Sequence, residues 1–231
     1  MSGKRLDNYT VKVYTLALLR LAKEEMRYRD IARVVGINIQ QLARYNKGWC
    51  TPSLERAKHI IDKLEPIVGL KARVTKWMLS NDGIADAMEL LRNPYVLYLS
   101  GYDCLMRFAG YRVTKILSMN GEDSILASAI SLRLLKPLVV ADSIGDRYVT
   151  YVSGDEVKRL GVSNGSIGKR DSVLIVDAVI RSGVDTRAMV DLVKSLNADV
   201  AGIYTLVCYE HARIPEDIRV EEVVHIKHRV D

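Results

Sequence analysis

VLIVDAVIRSGVDTR, Val173–Arg187, is the stretch on which the fold turns. Val173, Leu174, Ile175 and Val176 form an apolar, mostly β-branched run, which reads as a strand buried in a parallel sheet. Asp177 stands at the end of that strand. A short polar turn with Gly183 follows, and Ala188–Leu196 has the apolar period of a helix. In open α/β sheets, ligands bind beyond the carboxyl ends of the strands. A turn whose N–H groups converge at a helix start favours a phosphate. An acid just before such a turn can accept hydrogen bonds from ribose hydroxyls.

The same rhythm extends on both sides. Val113–Met119 reads as a strand, Ser124–Leu135 as a helix and Pro137–Ala141 as a strand. Arg147–Val152 alternates like an exposed strand. After the signature helix, Val200–Val207 and Val220–Ile226 complete the set. Strands alternating with helices imply a parallel sheet with right-handed crossovers. Residues 142–171, rich in Gly, Ser and charge, interrupt the pattern. The fold class expected is therefore α/β, preceded by an all-α segment.

That preceding segment carries the charge. Residues 1–80 hold 16 Lys/Arg against 7 Asp/Glu, so the whole net charge of +6 and more lies there, and the remainder is slightly acidic. A basic module joined to a mildly acidic one suggests contact with a polyanion. Asn8–Met26 has helical spacing of Val11, Tyr14, Leu18 and Leu21. A second helix spans about Arg29 to Val35 and stops at Gly36, a left-handed cap. Asn38 can cap a third helix, about Ile39 to Asn46. Thr51-Pro52-Ser53 opens a fourth, with Ala57, Ile60, Ile61 and Leu64 inward.

Helix, tight glycine turn, helix is the layout of a DNA-reading helix-turn-helix. Ala32 permits the crossing, and Ile31, Val35, Ile37, Leu42 and Tyr45 fill the space between the helices. IARVVGINIQQLARYNKG resembles the phage-repressor type. That resemblance implies double-stranded DNA as a partner and a third helix lying in the major groove. Asn38, Gln40, Gln41 and Arg44 would face base edges, and Arg33, Lys47 and Lys58 would touch phosphates. The alternative is a basic helical bundle used for packing or dimerisation.

Between the two parts, Lys71–Leu79 is amphipathic, with Val74, Trp77 and Met78 on one side. Asn81-Asp82-Gly83 is a turn signal. Ile84–Leu91 and Tyr95–Phe108 read as helices split by Asn93-Pro94. We place a helix-turn-helix domain at residues 1–80 and a ligand-binding domain at 81–231. Tyr95, Tyr98, Tyr102 and Phe108 suit a core or a subunit contact better than a base-stacking platform.

Val173–Gly183 resembles the phosphoribosyl-diphosphate signature of type I phosphoribosyltransferases: four apolar residues, two acids, two apolar residues, and a Thr/Ser/Gly-rich phosphate loop. Asp177 matches the first acid, Ala178 stands for the second, and Val179–Ile180 match the apolar pair. Arg181, Ser182 and Gly183 begin the loop, and Val184 and Asp185 stand where the family has Gly and Thr. The resemblance implies a phosphorylated ribose or nucleotide as ligand. Asp177 would take ribose hydroxyls, Ser182, Gly183 and Thr186 a phosphate, and Arg181 would supply positive charge. The loop Met119–Ser124 resembles the family's pyrophosphate loop, but carries Glu122 and Asp123. An Mg²⁺ arriving with the ligand would suit these acids; no cofactor or metal site is otherwise expected. Residues 142–171 resemble the family's hood, with Arg147, Lys158, Arg159, Lys169 and Arg170 as candidate cations for a leaving group.

The two halves together, about residues 25–65 and 112–207, resemble the archaeal orotate phosphoribosyltransferase-like transcription regulators and, in kind, the bacterial purine repressor. This implies a homodimeric DNA-binding regulator that senses phosphoribosyl diphosphate or a nucleotide. Ala178, Asp185 and the two loop acids count against turnover. Two alternatives stay open: a catalytic phosphoribosyltransferase with an accessory basic domain, and a DNA-binding architectural protein whose second domain only dimerises.

No apolar run is long enough to span a bilayer, and the first ten residues lack an apolar signal core. Cys50, Cys104 and Cys208 have no metal or redox spacing. A cytoplasmic location with reduced thiols is the expectation. His225 and His228 lack a third ligand at metal-binding spacing.

Overall fold

Leu174 and Val176 point to one side of a parallel sheet, and Val173 and Ile175 to the other; all four are fully buried. That alternation in one continuous apolar strand organises the molecule. The computed structural model describes residues 8–80 and 87–227. Among the described residues, seven helices come first: α1 (Asn8–Glu25), α2 (Tyr28–Val35), α3 (Ile39–Asn46), α4 (Leu54–Val68), α5 (Leu70–Ser80), α6 (Ala87–Leu91) and α7 (Pro94–Arg107). Then follow β1 (Lys115–Met119), α8 (Glu122–Leu134), β2 (Leu138–Ala141), β3 (Arg147–Ser153), β4 (Glu156–Val162), β5 (Ser172–Val176), β6 (Val179–Ile180), α9 (Val184–Ser195), β7 (Asp199–Tyr209) and β8 (Val220–Ile226).

The main sheet runs β2-β1-β5-β7-β6, with β8 also on β7, and every pairing in it is parallel. This matches the α/β expectation. Strand β5 is central, so Asp177 emerges mid-sheet. Helix α9 covers the Val173/Ile175 face. Helices α7 and α8 cover the Leu174/Val176 face, and there the apolar core continues without a break into α1, α2, α3, α4 and α5. A β-bulge at Val173/Leu174 sets Gly202 of β7 under the Phe108 ring. A Cβ at Gly202 would lie 2.7 Å from that ring, so the close approach requires glycine.

Several local readings hold. Asn38 Oδ1 accepts the Gln41 N–H at 2.8 Å, and Ser53 Oγ accepts the Arg56 N–H at 3.3 Å. Gly36 closes α2 with φ of 65°. Ile31, Val35, Leu42 and Tyr45 are buried, whereas Ile37 and Ile61 are half-buried. Val74, Trp77 and Met78 are buried, as are Tyr102 and Phe108. Tyr95 is half-buried and Tyr98 lies at the surface. The turn at Asn81-Asp82-Gly83, the start of the expected Ile84–Leu91 helix and His228 lie outside the described residues.

Four readings need correction. Residues 142–171 hold an antiparallel hairpin, β3 on β4, paired from Arg147↔Val162 to Ser153↔Glu156. Strand β4 escapes sequence reading because its first four residues are exposed, so no period of two marks it. Strand β6 is only two residues long, below any pattern. Helix α9 begins at Val184 rather than Ala188, because Gly183 at φ 79° turns the chain straight into it. Helix α8 begins at Glu122, so the two acids read as loop residues form its first turn, where the helix dipole favours them.

Candidate functional site

Asp177 leaves β5 with its N–H donating to the Tyr204 carbonyl of β7 at 3.1 Å. That bond holds the next few residues across the carboxyl end of the sheet. The turn Arg181–Gly183 then crosses the chain near Arg213: the Arg213 N–H donates to the Ser182 carbonyl at 2.9 Å. Gly183 sits so close that a Cβ would lie 2.8 Å from the Arg213 carbonyl oxygen. The turn and the first turn of α9 open onto a cleft of about 320 Å³, lined by Asp177, Val179, Arg181, Ser182, Gly183, Asp185 and Thr186 on one side. Met119, Asn120, Glu122 and Asp123 line the other.

Of the eight residues singled out as the candidate ligand site, Asp177, Ala178 and Arg181–Thr186, six are thus brought together. Ala178 and Val184 are not part of the lining. The Ala178 side chain is fully buried and its N–H donates to Asp123 Oδ1 at 2.7 Å. The Val184 N–H reaches Ser182 Oγ at 3.4 Å. Thr186 lines the cleft, but its hydroxyl donates to Asp177 Oδ2 at 2.6 Å rather than standing open to a phosphate.

Asp123 is the member of this cleft that the sequence reading missed as a partner of the signature loop. Burial raises its pKa, and the charges of Asp177, Glu122 and Asp185 raise it further against the Ala178 N–H bond. Burial also raises the pKa of Asp177, with Asp185 adding to it; the Thr186 hydroxyl, the Val179 N–H and Arg181 oppose the rise. The two carboxyls therefore share a strong preference for holding a proton. Asp185 is exposed at the cleft mouth and receives the Tyr151 hydroxyl from the hairpin. Burial and that bond push the Tyr151 pKa up to about 12, so the hydroxyl stays a donor.

A second cleft of about 520 Å³ adjoins the first through Met119, Asn120 and Asp185. Lys158 and Arg159 of β4 line it. Arg159 is held by stacking 3.6 Å from the Tyr148 ring centroid and by the Gly145 carbonyl at 2.8 Å. Arg147, Lys169 and Arg170 line neither cleft. Among the described residues, no group of three or more His, Cys, Asp or Glu side chains is placed to hold a metal ion. A divalent cation there would need ligand oxygens besides the protein's carboxylates.

The other candidate surface lies on α3. Gln40, Arg44 and Lys47, spaced i, i+4, i+7, form one exposed stripe. Asn38 is exposed, but its carbonyl oxygen is engaged as the helix cap. Gln41 is half-buried, with Nε2 3.5 Å from Cys50 Sγ. Arg33 is exposed on α2 and 4.0 Å from Asp30, and Lys58 is exposed on α4. Cys50, Cys104 and Cys208 are free thiols. His225 pairs locally with Glu222. No described helix is long and apolar enough to cross a membrane.

No protein-family model matches the chain. It is 27% identical over 148 residues to the xanthine phosphoribosyltransferase of Moorella thermoacetica, covering 58% of this chain and 76% of that protein. It is 24% identical over 177 residues to the orotate phosphoribosyltransferase of Caldanaerobacter subterraneus subsp. tengcongensis, covering 75% and 85%. A 22% identity over 164 residues relates it to the probable purine biosynthesis transcriptional regulator PurR of Streptococcus pneumoniae, covering 66% of this chain and 58% of that protein. Among solved structures, adenine phosphoribosyltransferase from Thermoanaerobacter pseudethanolicus superposes with a TM-score of 0.57 at 16% identity, covering 62% of this chain and 88% of that one. The parallel sheet and its helices have the type I phosphoribosyltransferase fold.

Proposed function

We propose, with the type I phosphoribosyltransferase fold as premise, that this chain is a DNA-binding transcriptional regulator that senses a phosphorylated ribose, either phosphoribosyl diphosphate or a nucleotide. The observation that carries the reading is the continuous apolar core on one face of the sheet. It joins a basic helix–glycine–helix pair, with an exposed Gln40–Arg44–Lys47 stripe, to a sheet whose carboxyl end opens into an acid-bearing cleft. The likeness to a purine biosynthesis regulator supports it.

In this reading residues 1–80 form the helix-turn-helix domain and residues 81–231 the sensing domain. Arg44 and Gln40 read base edges, with Asn38 and Gln41 beside them, and Arg33 and Lys47 hold phosphates. Two chains form a homodimer that sets the two reading helices on half-sites about one DNA turn apart. In the cleft Asp177 takes ribose hydroxyls, and the turn Arg181–Gly183 takes a phosphate, with the Thr186 hydroxyl held on Asp177. Asp185 disfavours a bare phosphate, so the ligand enters with a neutralising divalent cation. The same carboxylates weaken stabilisation of a departing diphosphate, which favours sensing over turnover.

The DNA test compares a selected operator with random duplex. Arg44→Ala is expected to weaken operator binding by about 1–3 kcal/mol and random DNA far less. Lys47→Ala is expected to weaken both and flatten the salt dependence. Equal losses on both duplexes from Arg44→Ala contradict base readout.

The likeness to xanthine and orotate phosphoribosyltransferases favours a second reading, a catalytic transferase. Lys158 and Arg159 in the adjoining cleft would then face the leaving group. Turnover of phosphoribosyl diphosphate with xanthine or orotate, abolished by Asp177→Ala, supports that reading and excludes pure sensing.

A further inference from the structure

Trp49 is 69% exposed, beside the C-terminal end of α3. Its place is fixed by the turn that ends that helix. The Lys47 N–H donates to the Ala43 carbonyl at 3.0 Å, the Gly48 N–H to the Tyr45 carbonyl at 2.9 Å and the Trp49 N–H to the Arg44 carbonyl at 3.0 Å. Gly48, with φ of 73°, makes the reversal possible. The Lys47 ammonium then stands 4.6 Å from the centroid of the indole ring. Ring and cation thus form one unit that continues the Gln40–Arg44–Lys47 stripe beyond the helix.

An exposed indole with a cation on its face is a contact surface rather than a packing residue. The sign of the surrounding charge selects its occupant. No acidic residue occurs between Asp30 and Glu55, while Arg33, Arg44 and Lys47 all do. A second copy presenting the same surface would meet like charge, whereas a polyanion meets opposite charge.

We infer that Trp49 and Lys47 form a clamp on the sugar–phosphate backbone of duplex DNA, flanking the groove that α3 enters. The ring packs on the deoxyribose, the indole N–H donates to a phosphate oxygen and Lys47 neutralises that phosphate. This rests on the DNA-binding reading, and adds to it a sequence-independent contact that fixes register.

The chain supplies its own probe, because Trp49 and the 8%-exposed Trp77 are its two tryptophans. The probe ligand is a short duplex of mixed sequence, titrated against the full chain at low salt. Indole emission of wild type and of Trp77→Phe is expected to change on adding duplex, while that of Trp49→Phe stays flat. Trp49→Ala is expected to weaken binding about tenfold with the salt slope unchanged, since no charge is lost. Trp49→Tyr is expected to restore most of the affinity. Lys47→Ala is expected to lower the salt slope by about one.

An emission change that survives in Trp49→Phe overturns the inference. So does Trp49→Ala binding duplex as wild type does, or indole quenching that follows protein concentration instead of DNA. If wild type binds no duplex even at low salt, the DNA-binding reading itself fails, and the clamp with it.

Discussion

Asp185 stands in the first turn of α9, at the mouth of the cleft, with the Tyr151 hydroxyl on its carboxylate. It does two opposed things. It favours the helix N-terminus electrostatically, by about 0.3–1 kcal/mol, and it repels a phosphate from the same N-terminus. Asp185→Asn is therefore expected to lower the melting temperature slightly and to tighten phosphoribosyl diphosphate binding, by about tenfold if one close like-charge contact of about 1.4 kcal/mol is removed. Calorimetric titration without added divalent cation checks this; unchanged or weaker binding means the carboxylate points away from the ligand.

Asp123 gives a pH dependence with a definite sign. Its pKa and that of Asp177 are raised in the folded chain, chiefly by burial, to about 8 and about 6. The folded state thus holds these protons more firmly than the unfolded chain. The associated stability is fully present in acid below the ordinary carboxylate range, and is lost as pH rises through about 6 to about 8. Asp123→Asn keeps an acceptor for the Ala178 N–H and removes the charge. It is expected to melt above wild type at alkaline pH, by about 2–4 °C per kcal/mol recovered, with the gap closing in mild acid. A gap that widens in acid contradicts the burial of Asp123.

At the scale of elements, Gly183 ties the turn to the helix. It has φ of 79°, and a Cβ there would meet Arg213 backbone atoms at 2.8–3.0 Å. Both the conformation and the space demand glycine. Gly183→Ala is expected to cost about 1–3 kcal/mol and to reduce ligand binding, read by thermal melting with and without phosphoribosyl diphosphate. Gly36→Ala, left-handed but in open space, is expected to cost less.

What the sequence made legible follows the same logic. Strand β5 announced itself because it is buried on both faces, and the α2–Gly36–α3 unit because a left-handed glycine and a capping Asn38 leave residue-level marks. Strand β4 left no mark because its first half is solvated and pairs with β3 along an exposed ribbon. In the site, Asp177 and the turn residues were legible from local order. Asp123 was not, since its contact with Ala178 joins residues 55 apart in sequence. Nor was the diversion of the Thr186 hydroxyl onto Asp177, which depends on how α9 leaves Gly183.

The whole molecule places the two candidate sites on one set of packed elements. The Tyr204 carbonyl receives the Asp177 N–H, and its hydroxyl donates to Asp103 Oδ2 of α7 at 2.9 Å. Arg107 donates from Nε to the same Asp103 oxygen at 2.7 Å and from Nη1 to Glu221 Oε2 of β8 at 3.1 Å. Tyr102 of α7 packs against Tyr14 of α1, ring centroids 5.5 Å apart, and Tyr14 donates to Glu65 of α4 at 2.6 Å. Contact continuity alone is not coupling. Coupling requires that ligand favour one of two arrangements differing in DNA affinity. Tyr204→Phe removes the hydroxyl link while leaving the cleft lining intact. It is expected to preserve ligand binding but shrink any effect of ligand on DNA binding.

The decisive measurement is the affinity of the full chain for an operator selected from random duplex, with and without saturating phosphoribosyl diphosphate and Mg²⁺, ligand occupancy being read in parallel by thermal shift. A regulator is expected to change its DNA affinity by about fivefold or more, and Asp177→Ala is expected to abolish the change. Occupancy that raises the melting temperature but leaves DNA affinity unmoved contradicts a sensor joined to a reader.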